Sequence, residues 1–189
     1  MYVKQMFKLN VAMNNIIVHN GRSIDAVFLG DTLVGKSSLI EQYVLGAYKD
    51  DIAQTVATTA YQVSITSIQG KKVHILLRDT AGDECYDRLR KFYHKWYSTH
   101  VWVLMFSVTW RASYENILLK WIHEVKEFAR VKPRIVLVAN KIDGNRTVSS
   151  HDCKKLARKI GAEACVECSV KTRERIDEVL AAILHAASY

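Results

Sequence analysis

The sequence predicts an α/β domain with a central, mostly parallel sheet covered by helices on both faces, and three observations lead there. First, strand-length apolar runs, "VWVLMFSV" (101–108), "RIVLVAN" (134–140) and "ACVECS" (164–169), alternate with helix-length segments. Second, those runs are nearly continuous in apolar residues, the pattern of strands buried on both faces. Third, "GDTLVGKS" (30–37) has the spacing G-x-x-x-x-G-K-[ST] and stands between a strand pattern and a helix pattern.

Residues 1–23 carry four Asn, lack a clear period and end in "HNGRS", so they are expected to form an N-terminal extension outside the core, with one domain over 24–189. "DAVFLG" is the first core strand, and in the helix that follows Leu39, Tyr43 and Val44 share a face. Val63, Ile65 and Ile68 alternate as a strand, "QGKK" (69–72) is a hairpin turn and "VHILLRD" (73–79) the returning strand. Trp121, Val125 and Phe128 lie on one face of a helix over 113–130, and Ile176, Val179, Leu180, Ile183 and Leu184 do so in the last helix. There is no internal repeat, and the single proline, Pro133, excludes a Pro-rich linker.

With 189 residues, 49% of them hydrophobic, the chain can bury a core without staples. Cys85, Cys153, Cys165 and Cys168 are unevenly spaced and no apolar run is long enough to cross a membrane, so reduced thiols and a cytoplasmic location are expected. The formal charge of +8 is spread, with no block of consecutive Lys/Arg. Nucleic acid is therefore not an expected partner, while peripheral contact with an anionic membrane is compatible with the charge. Cys165 and Cys168 spell C-x-x-C, but residues three apart on a strand face opposite ways, against a metal or redox pair. The run "KFYHKWY" (91–97) reads as a helix packing Phe92 and Trp96 on the sheet. The last twenty residues hold no cysteine and Tyr2 stands where myristoylation needs glycine, so membrane attachment would need a lipidated tail missing from this sequence, charge, or a partner.

In the glycine-rich loop, the successive backbone N–H groups from Asp31, Thr32, Leu33, Val34 and Gly35 to Lys36, Ser37 and Ser38 can wrap phosphates at a helix N-terminus, where the helix dipole also favours anions. Lys36 would neutralise the β- and γ-phosphates and the Ser37 hydroxyl would ligate Mg²⁺. "NKID" (140–143) follows a strand end. Its Asp143 can accept two hydrogen bonds from the N1–H and 2-amino edge of guanine, which adenine lacks, while the Lys141 stem lies across the purine. "CSVKT" (168–172) presents Ser169, Val170 and Lys171 after the last strand, with the Val170 N–H available to guanine O6. Asn140, Lys141 and Asp143 with this loop select GTP/GDP.

The chain here resembles the Ras superfamily of small GTPases over about 25–187. "DTAG" (79–82), "YDRLR" (86–90), "SYENILLKWIHEVKEF" (113–128) and "IGAEACVECSVKT" (160–172) look most like the Rho branch. Between Asp143 and the helix near Cys153 there is no room for the insert helix typical of Rho proteins, and a Rab-like protein is the alternative. The resemblance implies a P-loop NTPase small G domain, a six-stranded sheet with about five helices. It also implies a monomeric GTP/GDP switch using Mg²⁺, with exchange factors, GTPase-activating proteins and effectors reading two switch segments. Tyr48 takes the place of the aromatic packed against the base, Asp79 joins Ser37 at the Mg²⁺, and the Gly82 N–H can sense the γ-phosphate. Thr55 matches the switch threonine counted forward from Lys36. Counting back from Asp79 gives Ala57, and Gln54 replaces the usual preceding proline, so Thr58 remains an alternative.

Asp83 occupies the position of the family's catalytic glutamine. A carboxylate is shorter, has no donor when ionised and adds negative charge beside the γ-phosphate. Losing one transition-state donor costs about 3–4 kcal/mol, so slow intrinsic GTP hydrolysis is expected. Thr32 and Leu33, where many relatives have small residues, are expected to crowd the γ-phosphate. Asp83 acting as a general base is the contrary reading, and a pseudo-GTPase scaffold that binds nucleotide without useful turnover is the non-enzymatic one.

Overall fold

The structure is a computed structural model that describes residues 4–7, 23–47, 55–56, 58–66, 72–94 and 99–188. Among them the strands are β1 (Lys4–Phe7), β2 (Ile24–Leu29), β3 (Thr59–Thr66), β4 (Lys72–Asp79), β5 (Val101–Ser107), β6 (Ile135–Asn140) and β7 (Ala164–Glu167). They form one seven-stranded sheet in the order β1-β3-β4-β2-β5-β6-β7. Only β3 and β4 pair antiparallel, and every other pair is parallel. The six expected strands are present, and β1 is an addition. The segment expected to lie outside the core places Lys4–Phe7 beside Gln62–Ile65 of β3, at the sheet edge.

The helices are α1 (Lys36–Leu45), α2 (Asp87–His94), α3 (Arg111–Asn116), α4 (Ile122–Phe128), α5 (Ser150–Ile160) and α6 (Ile176–Ala187). A 3₁₀ turn, Glu84–Tyr86, leads into α2, and a π turn, Ile117–Trp121, joins α3 to α4 as one rod, giving the five helical bodies expected. Residues 141–149, between β6 and α5, contain no helix, so the Rho-type insert is absent.

The two-residue period of a strand assigns each side chain to one of two core layers. Ala26 and Phe28 of β2, with Val103 and Met105 of β5, pack in the layer that holds Leu39, Tyr43, Val179 and Ile183 of α1 and α6. Val27 and Leu29, with Trp102, Leu104 and Phe106, face the opposite layer with Tyr114, Trp121, Val125 and Leu156. Cys168 and Cys165 fall in opposite layers as the period requires, and burial pushes their thiols up to about 12 and about 11. Thiols so protonated are weak nucleophiles and poor ligands.

"QGKK", Ile68 and Trp96 lie wholly or partly outside the described residues. Phe92 does not pack on the sheet as expected: it is 56% exposed. The reason lies two residues earlier, where α2 turns Arg90 inward, leaving Phe92 on its outer side.

Helix α5 begins at a capping box: Ser149 Oγ accepts from Asp152 N at 3.1 Å, and Asp152 Oδ2 accepts from Ser149 N at 3.3 Å. Ser149→Ala should lower stability to urea by about 1 kcal/mol. The hydrogen bonds from Ser149 hold the Asp152 carboxyl below its ordinary value. A depressed folded-state pKa gives stability that is present above the unfolded value and lost as pH falls through the folded one. The wild-type advantage over Asp152→Asn should therefore shrink on acidification below about pH 4, followed by urea unfolding across a pH series.

Candidate functional site

The site gathers at the carboxyl ends of β2, β4, β5 and β6 and begins with the loop between β2 and α1. Helix α1 has no side-chain cap and no acidic residue in its first turn, so its N-terminal N–H groups and dipole are left to an anion. Gly35, before the helix, has φ +103°, and a Cβ there would lie 2.3 Å from Asn140 Nδ2. Lys36 Nζ is buried and donates to the carbonyls of Gly30 and Asp31, each at 2.8 Å. Burial lowers its pKa to about 8, with Asp79 pulling the other way. A phosphate in the loop would add the compensating negative charge.

Ser37, Thr55 and Asp79 come together. Ser37 Oγ donates to Asp79 Oδ2 at 2.6 Å and lies 2.7 Å from Thr55 Oγ1, which donates to the same carboxylate oxygen at 3.0 Å. Thr58, the alternative, has a buried hydroxyl without a hydrogen-bond partner and is not in this cluster. Asp79 Oδ1 is likewise buried and unpartnered, and burial raises the carboxyl's pKa. Two hydroxyls and a carboxylate with a spare oxygen make a hard, all-oxygen donor set, which suits Mg²⁺.

After Asp79, Thr80 donates to the Phe28 carbonyl at 2.5 Å and Ala81 is buried. Gly82 lies against the phosphate loop so closely that a Cβ would fall 2.4 Å from the Asp31 carbonyl carbon and 2.5 Å from Thr32 N. Asp83 is extended (φ −75°, ψ 140°), and its Oδ1 accepts from Cys85 N at 2.9 Å, capping the turn into α2. Leu33 adopts φ +63° and is 74% exposed, so it projects from the loop rather than crowding it. Any crowding is left to Thr32, which is half-buried. Ser38, next on α1, is half-buried too.

Asn140 ties three loops together. Its Nδ2 donates to the Val34 carbonyl at 2.9 Å and its Oδ1 accepts from Val170 N at 3.2 Å. The Val170 N–H expected at guanine O6 is thus already engaged, through a long bond of the kind that can be shared with a second acceptor. Asp143 is exposed and accepts from the buried Ser169 Oγ at 2.6 Å. Lys141 has φ +67° and is half-buried, and Lys171 is exposed. Tyr48 lies outside the described residues.

One cluster was not singled out from sequence. The buried Asp31 carboxylate accepts from Trp121 Nε1 and from Asn116 Nδ2, each at 2.7 Å. Arg90, 1% exposed, has its guanidinium 4.7 Å from the Trp121 ring centroid, donates to Glu124 at 2.7 and 2.9 Å, and reaches the Ala81 carbonyl at 2.8 Å. Burial opposes its charge, but Glu124 and Asp87 outweigh that and raise its pKa. The signal in the sequence was an arginine inside an otherwise amphipathic helix start, "YDRLR".

A glycine loop at a helix N-terminus, a hydroxyl–carboxylate cluster beside it and an Asn-Lys-x-Asp loop at the next strand ends define a P-loop nucleotide-binding domain. Comparison with known proteins places it further: the family model described as "Ras family" matches residues 25–188. Human "Rho-related GTP-binding protein RhoD" is 33% identical over 171 residues, covering 84% of this chain and 80% of that one. The chain belongs to the Ras family and is a Rho-like small GTPase, a molecular switch. Among the described residues no helix is long and apolar enough to cross a membrane.

Asn140 and Asp143 should separate on mutation. Asn140→Ala leaves a buried carbonyl and a buried N–H unpaired and should cost about 2–4 kcal/mol of stability without any ligand. Asp143→Ala, exposed and with one partner, should stay within about 1 kcal/mol. Urea denaturation of the nucleotide-free proteins measures both.

Proposed function

We propose that this chain is a guanine-nucleotide switch whose GTP state is long-lived, because Asp83 takes the glutamine position and is turned into a helix cap. The observation that carries this reading is the Asp83–Cys85 bond. One oxygen of the carboxylate that would have to orient an attacking water is engaged by its own backbone. What remains of its charge opposes the negative charge of the γ-phosphate. In this reading Lys36 and the loop N–H groups hold the phosphates, Asp143 and Lys141 read the guanine, and the Gly82 N–H reports the γ-phosphate. Ser37, Thr55 and Asp79 would hold Mg²⁺, which when bound supplies charge neutralisation at the β- and γ-phosphates. Effectors and regulators would read the two switch segments, where Val56, Leu89 and Phe92 are exposed at 56%, 39% and 56%.

Single-turnover GTP hydrolysis tests the brake. Asp83→Gln should speed it at least about tenfold while weakening the cap by about 1 kcal/mol. Asp83→Asn keeps the cap, removes the charge and should fall between. A glutamine variant no faster than wild type sinks the idea. For the base, Asp143→Ala should weaken GDP and GTP on the order of a hundredfold or more, measured by nucleotide displacement. Unchanged affinity would overturn the guanine assignment.

A further inference from the structure

We infer that Arg90 is a positioning residue for γ-phosphate recognition, acting through the peptide between Ala81 and Gly82; the inference rests on the guanine-nucleotide reading above. A peptide unit is planar and trans, so its C=O and N–H point in opposite directions from one rigid plate. Arg90 Nη1 donates to the Ala81 carbonyl at 2.8 Å, and the other end of that plate is the Gly82 N–H. Fixing the carbonyl therefore aims the N–H, and Gly82 stands against the Asp31–Thr32 backbone with no space for a side chain. Arg90 itself has little freedom. Glu124 grips it through two hydrogen bonds, at 2.7 and 2.9 Å, Asp87 accepts from it at 2.6 Å, and its guanidinium lies 4.7 Å from the Trp121 ring centroid.

The same Trp121 donates to Asp31 in the phosphate loop at 2.7 Å. A closed circuit results: loop backbone to Gly82, Ala81 carbonyl to Arg90, Arg90 to Trp121, and Trp121 back to the loop through Asp31. Arg90 belongs to α2, so rotation of the Ala81–Gly82 peptide toward or away from a γ-phosphate is felt by α2 directly. The circuit discriminates between a nucleoside triphosphate and a diphosphate, since only the triphosphate offers an acceptor to that N–H.

The test compares affinities of the full chain for GDP and for a non-hydrolysable GTP analogue. Trp121→Phe keeps a ring but loses the N–H to Asp31. Arg90→Met with Glu124→Met removes both buried charges together, so neither is left unpaired. Each variant should lower the preference for the triphosphate analogue over GDP by roughly five- to tenfold. Combining them should cost little more than the larger single effect, because both break one circuit. A ratio of two affinities is insensitive to the fraction of molecules that fold, so a merely structural role would leave it unmoved. An unchanged ratio in variants that bind GDP overturns the inference, and so does full additivity. Wild-type protein that binds neither nucleotide overturns the underlying reading as well.

Discussion

The contact between the Gly82 backbone and the phosphate loop is the constraint on which the rest of the site depends. A Cβ at Gly82 would fall 2.6 Å or less from the Gly30 carbonyl oxygen, the Asp31 carbonyl carbon and Thr32 N, so the two chain segments meet backbone to backbone. That approach fixes where β4 must end. Asp79, the last residue of β4, is held over the α1 N-terminus, its carboxylate accepting from Ser37 and Thr55. It also fixes where α2 must start, because only three residues of 3₁₀ turn separate Asp83 from the first residue of α2. Arg90 then lands under Ala81 rather than in solvent, and its buried pairing with Glu124 follows. Breaking such a pair from one side costs about 3–5 kcal/mol, so the segment after β4 is anchored at one point deep in the protein while its outer face stays exposed.

This anchoring recasts the substitution at Asp83. The side chain of aspartate, one methylene shorter than glutamine's, makes it a good N-cap, since the short carboxylate reaches an N–H two residues ahead. In the proposed reading, charge and reach bear on the same step. The charge would oppose that of a γ-phosphate, while the cap holds the turn that leads into α2.

Much of the fold was legible because burial on both faces writes itself into apolar runs. Val101–Ser107 and Ile135–Asn140 are buried throughout, and their period assigns the two layers. The P-loop was legible for a different reason: its chemistry needs glycine, lysine and serine at fixed offsets. Thr55 and Thr58 could not be separated from sequence, as counting from the two ends disagreed. In the structure Thr55 lies 2.7 Å from Ser37, while the Thr58 hydroxyl has no hydrogen-bond partner. Strand β1 escaped notice because a four-residue edge strand paired on one side needs no alternation. Phe92 was misjudged since an arginine and not an aromatic fills the buried face of α2, and an arginine in "YDRLR" does not by itself name a partner 34 residues away.

The least legible element is the π turn Ile117–Trp121, and it has a structural consequence that an α-helix could not supply. In an α-helix successive residues advance by about 100°, so side chains five apart diverge by about 140°. Asn116 and Trp121 are five apart, yet both donate to Asp31 at 2.7 Å. The widened turn resolves this: Ile122 N–H bonds to the Ile117 carbonyl, a five-residue closure that stacks positions i and i+5 on one face. Propensity and hydrophobic period carry no signal for such a bulge, as the residues on either side read as ordinary helix. Its cause is tertiary. Asp31 is a buried carboxylate in a loop that must stay open to phosphate, and two neutral donors from outside the loop satisfy it there. The rod bends its own hydrogen-bond ladder to provide them, and in doing so it brings Trp121 into the position from which it also supports Arg90.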